Sequence, residues 1–483
     1  MRWWDHAVVY QIYPRSFQDS DGDGIGDLRG ITQRLDHLVW LGVDAFWLSP
    51  IYPSPLADFG YDVSDHTAVD PTLGSLDDFD EVVATAHERG LRVLLDLIPC
   101  HTSIEHPWFR QHPDWYIWSP VAGPPNNWVS AFGGPAWSRD EQTGRWYLHS
   151  FYPEQPDLDW RNPEVVEAFQ GIVRFWLERG VDGFRLDAID RLVKDDKLRD
   201  DPPARELFPL PLREDSAKLE RIYSGNRPEA IDALRAIRSA AGDALLVGEV
   251  YQPTSEYPRY LEALDLVFAF ELLFSAWKAK RLRAAIGPAA ELRRVAWVMS
   301  NHDFDRLATR VGPENLRAAA MLLLTLPGVA FIYQGDEIGL ANGPRAEPTY
   351  DRAGRDPLRH PMQWDATPTG GFTSGEPWLP LVDPADRNVE AQRDDPGSLL
   401  HLYRLLIEAR GLLGDDFRLL EGFDGIVAFE RPEYLVAINT TGGDQAAPVA
   451  AQPELTTHPD PLSDGMLAPH SGVVAPTSGL SSP

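Results

Sequence analysis

At 483 residues the chain exceeds one ordinary compact module. Its length suggests about two to four units, or one large α/β barrel with appendages. Its 44 Lys and Arg face 73 Asp and Glu, a formal charge of −29. That charge repels phosphate backbones and anionic lipid, which sets aside nucleic acid and membrane surfaces as partners. An apolar content of 43% excludes a disordered chain, and no apolar run approaches the ~20 residues of a membrane span.

In chain order, short apolar runs alternate with helical patterns from Val8 onward. The runs are Val8–Tyr13, Ala45–Ser49, Arg92–Ile98, Gly183–Ala188, Leu245–Val250, Leu266–Glu271, Val295–Ser300 and Val329–Tyr333. Several are almost continuously apolar, as in parallel strands covered on both faces. Ser75 opens one intervening helix, which Gly90 ends. Asn162-Pro163 opens a second, closed by Gly180, and Pro313-Glu314 a third. Eight such repeats predict a (β/α)8 barrel, a TIM barrel of the α/β class.

The alternation breaks at 101–156, where Pro124-Pro125-Asn126-Asn127-Trp128 and Phe132-Gly133-Gly134-Pro135 carry no long helix period. That stretch is expected to be an inserted subdomain following strand three. A second insert, 191–226, is rich in charge and proline. After about Leu412 short alternating strands (Ile426–Glu430, Tyr434–Asn439, Ser471–Ala475) predict a C-terminal antiparallel β domain with a loose tail. The expected division is 1–100 with 157–411 as barrel, 101–156 as insert and 412–483 as C-terminal domain. Cys100 is the only cysteine, so no internal disulfide can form. With an opening Met-Arg-Trp-Trp-Asp that lacks a secretory apolar core, the expected home is the cytoplasm, as a monomer or homodimer.

Four of the predicted strands end in ionisable side chains: Leu94-Leu95-Asp96 with His101 beyond, Gly183-Phe184-Arg185-Leu186-Asp187, Val247-Gly248-Glu249, and the run into Asn301-His302-Asp303. Charge on an apolar element costs free energy unless the groups serve one another, and barrel chemistry sits at the C-terminal strand ends. Arg185 and Asp187 share a strand face. The guanidinium is expected to depress the Asp187 pKa and keep an ionised nucleophile ready. Glu249 is the candidate general acid and Asp303 a third carboxylate gripping sugar hydroxyls. Two carboxyls about 5–5.5 Å apart would fit a retaining glycosidase.

Asp19-Ser20-Asp21-Gly22-Asp23-Gly24-Ile25-Gly26-Asp27 alternates oxygen donors with small residues, as a hard cation's loop does. It starts like an EF-hand, yet Gly30 stands at the twelfth position, where a bidentate Glu belongs. The reading is a structural cation, because four carboxylates in nine residues repel one another without one.

Asp96-Leu-Ile-Pro-Cys-His101, Gly183-Phe-Arg-Leu-Asp187, Val247-Gly-Glu249 and Ser300-Asn-His-Asp303 resemble the motifs of the α-amylase family, glycoside hydrolase family 13. The match is closest to its bacterial α-glucosidases and oligo-1,6-glucosidases. Gly42–Pro55, Gln155–Asp159, Tyr333–Gly339 and Arg359–Trp364 support it. The resemblance implies Asp187 as nucleophile, Glu249 as acid/base and Asp303 as transition-state stabiliser. It also implies Asp62, His101, Arg185, His302 and Arg359 around a non-reducing glucose, with Phe151 nearby. The implied activity is exo-cleavage of short α-1,4 malto-oligosaccharides, because in similar family members Ala after the nucleophile, here Ala188, goes with α-1,4 bonds and Val with α-1,6. The implied cofactor is calcium, held by Asp19, Asp21, Asp23, Asp27 and the Ile25 carbonyl. No organic cofactor is expected. Glucosyl transfer or trehalose-forming isomerisation, action on sucrose, oligo-1,6-glucosidase activity, and a catalytically silent binding barrel are the alternatives. Cys100 replaces the Asn that usually precedes the motif histidine and binds calcium in many amylases, so a calcium in the insert is not expected; Asp159 stands where related α-glucosidases usually carry Asn.

Overall fold

The computed structural model describes residues 2–204, 218–449 and 451–477. Part of the expected 191–226 insert (205–217) and of the C-terminal tail (478–483) lies outside the described residues. Eight parallel strands form one closed barrel: β1 (Val8–Ile12), β2 (Ala45–Leu48), β3 (Arg92–Leu97), β4 (Gly183–Leu186), β5 (Leu245–Gly248), β6 (Leu266–Phe268), β7 (Val295–Val298) and β8 (Val329–Tyr333). Their order around the barrel is β1-β8-β7-β6-β5-β4-β3-β2, the sequential winding expected.

Strand periodicity divides the core in two. Val9, Ala45, Trp47, Leu94, Val247, Phe268, Val298 and Phe331 fill the barrel interior. Their sequence neighbours Val8, Phe46, Val93, Leu95, Leu246, Val267, Trp297 and Ile332 pack outward with the helices. The helices begin where side chains satisfy orphan amides. Ser75 and Asp78 form a capping box at α2 (Leu76–Glu88), following α1 (Leu28–Leu41). Asn162 accepts from the Glu164 amide ahead of α3 (Pro163–Glu178). The expected Leu266–Glu271 strand is shorter than its apolar run, because a helical turn at Phe270–Phe274 takes over.

Between β3 and α3 the longest regular pieces are a five-residue helix and the Trp137–Arg139/Trp146–Leu148 hairpin. An antiparallel bridge between His101 and Asp157 returns the chain to its point of departure. At the other end β9 (Arg418–Leu420), β10 (Ile426–Glu430), β11 (Tyr434–Asn439), β12 (Leu455–Thr456) and β13 (Gly472–Pro476) form an antiparallel sheet in the order β9-β10-β11-β13-β12. Among the described residues no helix is long and apolar enough to cross a membrane.

Candidate active site

Strand register brings the charged strand ends together. Asp96 on β3 is paired with Arg185 on β4, and Arg185 with Val247 on β5, two residues before Glu249. Gly248 allows the close approach that β5 needs, since a Cβ there would lie 2.4 Å from Leu264 and 2.7 Å from Ile189. Arg185, almost wholly buried, then ties three carboxylates. Its Nη1 reaches Asp96 Oδ1 at 2.7 Å and Asp187 Oδ1 at 2.6 Å, and its Nη2 reaches Glu249 Oε1 at 2.5 Å. Asp187 and Glu249 therefore stand one guanidinium's width apart. Beneath Arg185 the Trp47 ring lies 5.1 Å from its Cζ.

Above this floor a pocket of about 240 Å³ is lined by Asp187, Glu249 and Asp303, with Asp58, Tyr61, His101, Phe151 and Tyr251 around them. Asp303 is held from the far side. Arg355 Nη1 contacts its Oδ1 at 2.9 Å, and Arg359 Nη2 contacts the same oxygen at 3.3 Å. Arg355 also pairs with Asp58 and, at 2.8 Å, with Asp351.

The carboxyl groups are driven apart electrostatically. Burial pushes Glu249 up to about 8, and Asp187 and Asp303 add to the rise against the pull of Arg185. At Asp303 burial also pushes upward, but the Arg355 and Arg359 guanidiniums outweigh it and hold the group well below the usual carboxylate range. Asp187 is a correction. Burial and the Asp96 charge move its carboxyl upward in spite of Arg185, so the expected depression is not the net result. A guanidinium shared by three buried carboxylates cannot offset the desolvation of each. Asp187 loses a repelling charge once Glu249 takes a proton, which favours its ionised form.

His302 is neutral, since burial lowers its pKa to about 3. It is braced by Gln11 Nε2 at Nδ1 (2.7 Å) and by the Tyr61 hydroxyl at Nε2 (2.6 Å), while Tyr61 donates to Asp96 Oδ2 at 2.9 Å. Those directions place the imidazole proton on Nε2. Burial likewise lowers His101 to about 4. Tyr251 donates to Glu249 Oε1 at 2.9 Å and stacks on Phe270 at 4.8 Å. The Ala188 amide donates to Glu249 Oε2 at 3.0 Å.

Of the residues expected around the substrate, His101 and Phe151 line the pocket, and Arg185, His302 and Arg359 form its supporting layer. Asp62 does not reach the pocket. Its carboxylate accepts from Ser54 Oγ and from the amides of Ala57 and Asp58 within its own loop. Asp58, four residues earlier, is the pocket carboxylate instead. The residues missed from sequence are Asp58, Tyr61, Tyr251 and Arg355. Of these only Tyr251 had a usable signal, lying two positions beyond Glu249.

At the 19–27 loop the carboxylates of Asp19, Asp21 and Asp27 offer oxygens within 4.8 Å of one another, while Asp23 stands outside that group. Asp19 accepts from the amides of Asp21, Gly22 and Gly24, and Asp27 from Ser20 and Gly30. Asp23 accepts from the Ile25 amide. Cys100, His101 and Asp157 also cluster, but the Lys194 ammonium already contacts Asp157 at 2.7 Å. Asp159 accepts from the Arg161 amide in a turn ahead of α3, which needs only the side-chain oxygen that Asn also has.

A charged, aromatic-walled pocket at the C-terminal mouth of such a barrel, with two carboxyls on one arginine, marks a glycoside-cleaving enzyme. The description "Alpha amylase, catalytic domain" matches residues 11–413, and the chain belongs to the alpha-amylase family, glycoside hydrolase family 13. A "Probable alpha-glucosidase" of Rhizobium meliloti (strain 1021) is 42% identical over 84% of this chain and 82% of its own length. A "Probable oligo-1,6-glucosidase 2" of Bacillus subtilis (strain 168) is 35% identical over 92% and 89%. Among solved structures, an "alpha-glucosyl transfer enzyme, XgtA" superposes with a TM-score of 0.92 at 37% identity, covering 99% of this chain and 100% of that one. A "trehalulose synthase MutB" variant gives 0.87 at 30% identity, with 99% and 100% covered. The chain is a glycoside hydrolase of the α-glucosidase type.

Proposed function

We propose that the protein is a retaining, exo-acting α-glucosidase that releases glucose from short α-1,4-linked malto-oligosaccharides. Asp187 attacks the anomeric carbon while Glu249, protonated through its raised pKa, gives its proton to the departing oxygen. The ionised Glu249 then activates water, which frees glucose and restores the proton. Asp303, kept anionic by Arg355 and Arg359, stabilises positive charge at the ring. The Asp58–Arg355–Asp303 pairing closes the glucose end, which favours cutting from chain ends. The observation that carries this reading is the single Arg185 guanidinium gripping both Asp187 and Glu249.

The Asp19, Asp21 and Asp27 carboxylates suit a hard cation, and calcium there, with Asp23 and the Ile25 carbonyl completing the set, would act structurally by neutralising the loop. The fully buried Cys100 thiol suits a reducing cytoplasm. A second reading, glucosyl transfer to a sugar acceptor, is favoured by the likeness to XgtA and MutB over almost the whole chain. Parallel incubation with maltose, isomaltose, trehalose and sucrose separates the readings. Hydrolysis should give free glucose, appearing first as the α anomer by NMR, with maltose the best substrate. New disaccharides at high maltose would establish the transferase, and first-formed β-glucose would overturn retention.

A further inference from the structure

The arginines of the catalytic pocket divide into two groups. Arg185, Arg355 and Arg359 each contact at least one carboxylate. Arg191 and Arg221 also line the pocket, yet neither makes an ion pair among the described residues. Arg191 lies with Cζ 5.1 Å over the Phe151 ring, leaving its charge without an acidic partner. Arg221 Nη2 is closed off from solvent and has no hydrogen-bond partner among the described residues. Burial, with the Arg191 charge adding to it, lowers the Arg221 pKa to about 9. Of the nearest carboxylates, Asp201 accepts from Tyr223 and Ser224, and Asp190 accepts from Gln252 at Oδ2; its Oδ1 has no hydrogen-bond partner, and neither acid forms an ion pair with the two arginines among the described residues. In a chain with 29 more acidic than basic side chains, two neighbouring pocket cations with no ion-pair partner among the described residues need an explanation.

Their position supplies it. The Arg191 amide donates to the Ala188 carbonyl at 3.0 Å, and the Ala188 amide donates to Glu249. Glu249 is the group that protonates the departing oxygen, so this lip of the pocket faces the aglycone. The glucose end, held by Asp58, Arg355 and Asp303, belongs to other segments.

We propose that Arg191 and Arg221 form an anion-binding aglycone subsite, and that the enzyme's preferred substrates are α-glucosides whose leaving group carries a carboxylate or phosphate near the bond cleaved. The proposal rests on the α-glucosidase reading above. The chemistry is unchanged: the C1–O bond breaks with its electron pair on the aglycone oxygen, which takes the Glu249 proton, and C1 bonds to Asp187. Water then attacks C1, returns a proton to Glu249 and frees the carboxylate of Asp187. The anion only adds charge-assisted hydrogen bonds on the leaving-group side.

Two matched pairs test it. Maltobionate against maltitol varies a carboxylate at a constant α-1,4 bond to an open-chain aglycone, and trehalose 6-phosphate against trehalose varies a phosphate. In at least one pair the charged member should have kcat/KM higher by about tenfold or more, the scale of a charge-assisted bond. Added salt should shrink that ratio. Arg221→Gln should lower the charged-to-neutral ratio in the same pair, and Arg221→Lys should restore part of it, both in variants whose thermal unfolding matches the parent. Equal or lower kcat/KM for both charged substrates, or a ratio untouched by Arg221→Gln, overturns the subsite. Failure to hydrolyse maltose and maltitol at all would instead count against the α-glucosidase reading itself.

Discussion

The Ala188 amide donates to Glu249 Oε2 at 3.0 Å, so the residue following the nucleophile also holds the acid. Ala188 reaches that position in the left-handed region, with φ 45° and ψ 41°. The turn aims one backbone donor at Glu249 while Asp187, one residue earlier, keeps its ladder bond to Leu97.

A β-branched residue tolerates such a backbone poorly. Ala188→Val is expected to cost about 1–3 kcal/mol of stability, seen as a lower Tm. It should also raise the isomaltose-to-maltose ratio of kcat/KM if this position sets linkage preference. Ala188→Gly should relieve the strain and keep the maltose preference.

Asp187→Asn keeps an oxygen toward Arg185 but removes the nucleophile. Maltose turnover should fall by about 10,000-fold or more, with circular dichroism and Tm close to the parent. Turnover near the parental rate would exclude Asp187 as the attacking group.

Glu249 fixes the alkaline behaviour. As the acid it must hold its proton, so kcat/KM should fall as pH rises through about 8. Tyr251→Phe removes a donor that favours the ionised form, and should move this limb to higher pH. The stability linkage follows the same pKa. The folded chain keeps this proton up to about 8, whereas an ordinary Glu loses it near 4.5, so the group costs stability increasingly across that window. Glu249→Gln should therefore abolish hydrolysis yet raise stability by about 1 kcal/mol or more above pH 8. That gain should vanish below about 4.5, as checked by urea unfolding at both ends of the range.

Calcium in the 19–27 loop would bind the folded state alone. An ion at about 100 times its dissociation constant would add about 2.7 kcal/mol, so EGTA should lower Tm and calcium restore it. Asp21→Ala, which removes a largely exposed ligand, should abolish that response. A Tm indifferent to chelator in the parent would leave the loop held by its Asp-to-amide bonds only.

Much of this was legible from the residues. The barrel strands are buried on both faces, so their apolar runs stand out against the helices. Asp187 and Glu249 were visible because charge is conspicuous at the end of such a run. The loops gave no such contrast. Asp58 and Asp62 occur in one short motif, and only the fold shows that Asp62 spends its oxygens on Ser54, Ala57 and Asp58. The resemblance points to Arg359 alone, whereas Arg355 lines the pocket and Arg359 lies behind, bonded to the His302 carbonyl at 3.0 Å. The net direction of the Asp187 shift depended on how many carboxylates share Arg185, which no spacing in the chain reveals.

His302, beside the third carboxylate, is braced by Gln11 on β1, 291 residues earlier in the chain. β1 in turn pairs with β8, which ends at Tyr333. While the ribosome is still making the chain, every fragment shorter than about two thirds of its length therefore has an open barrel and no sugar site. A nascent chain of this kind cannot act on a sugar, and truncation anywhere before β8 should yield an inert product rather than a weakened one.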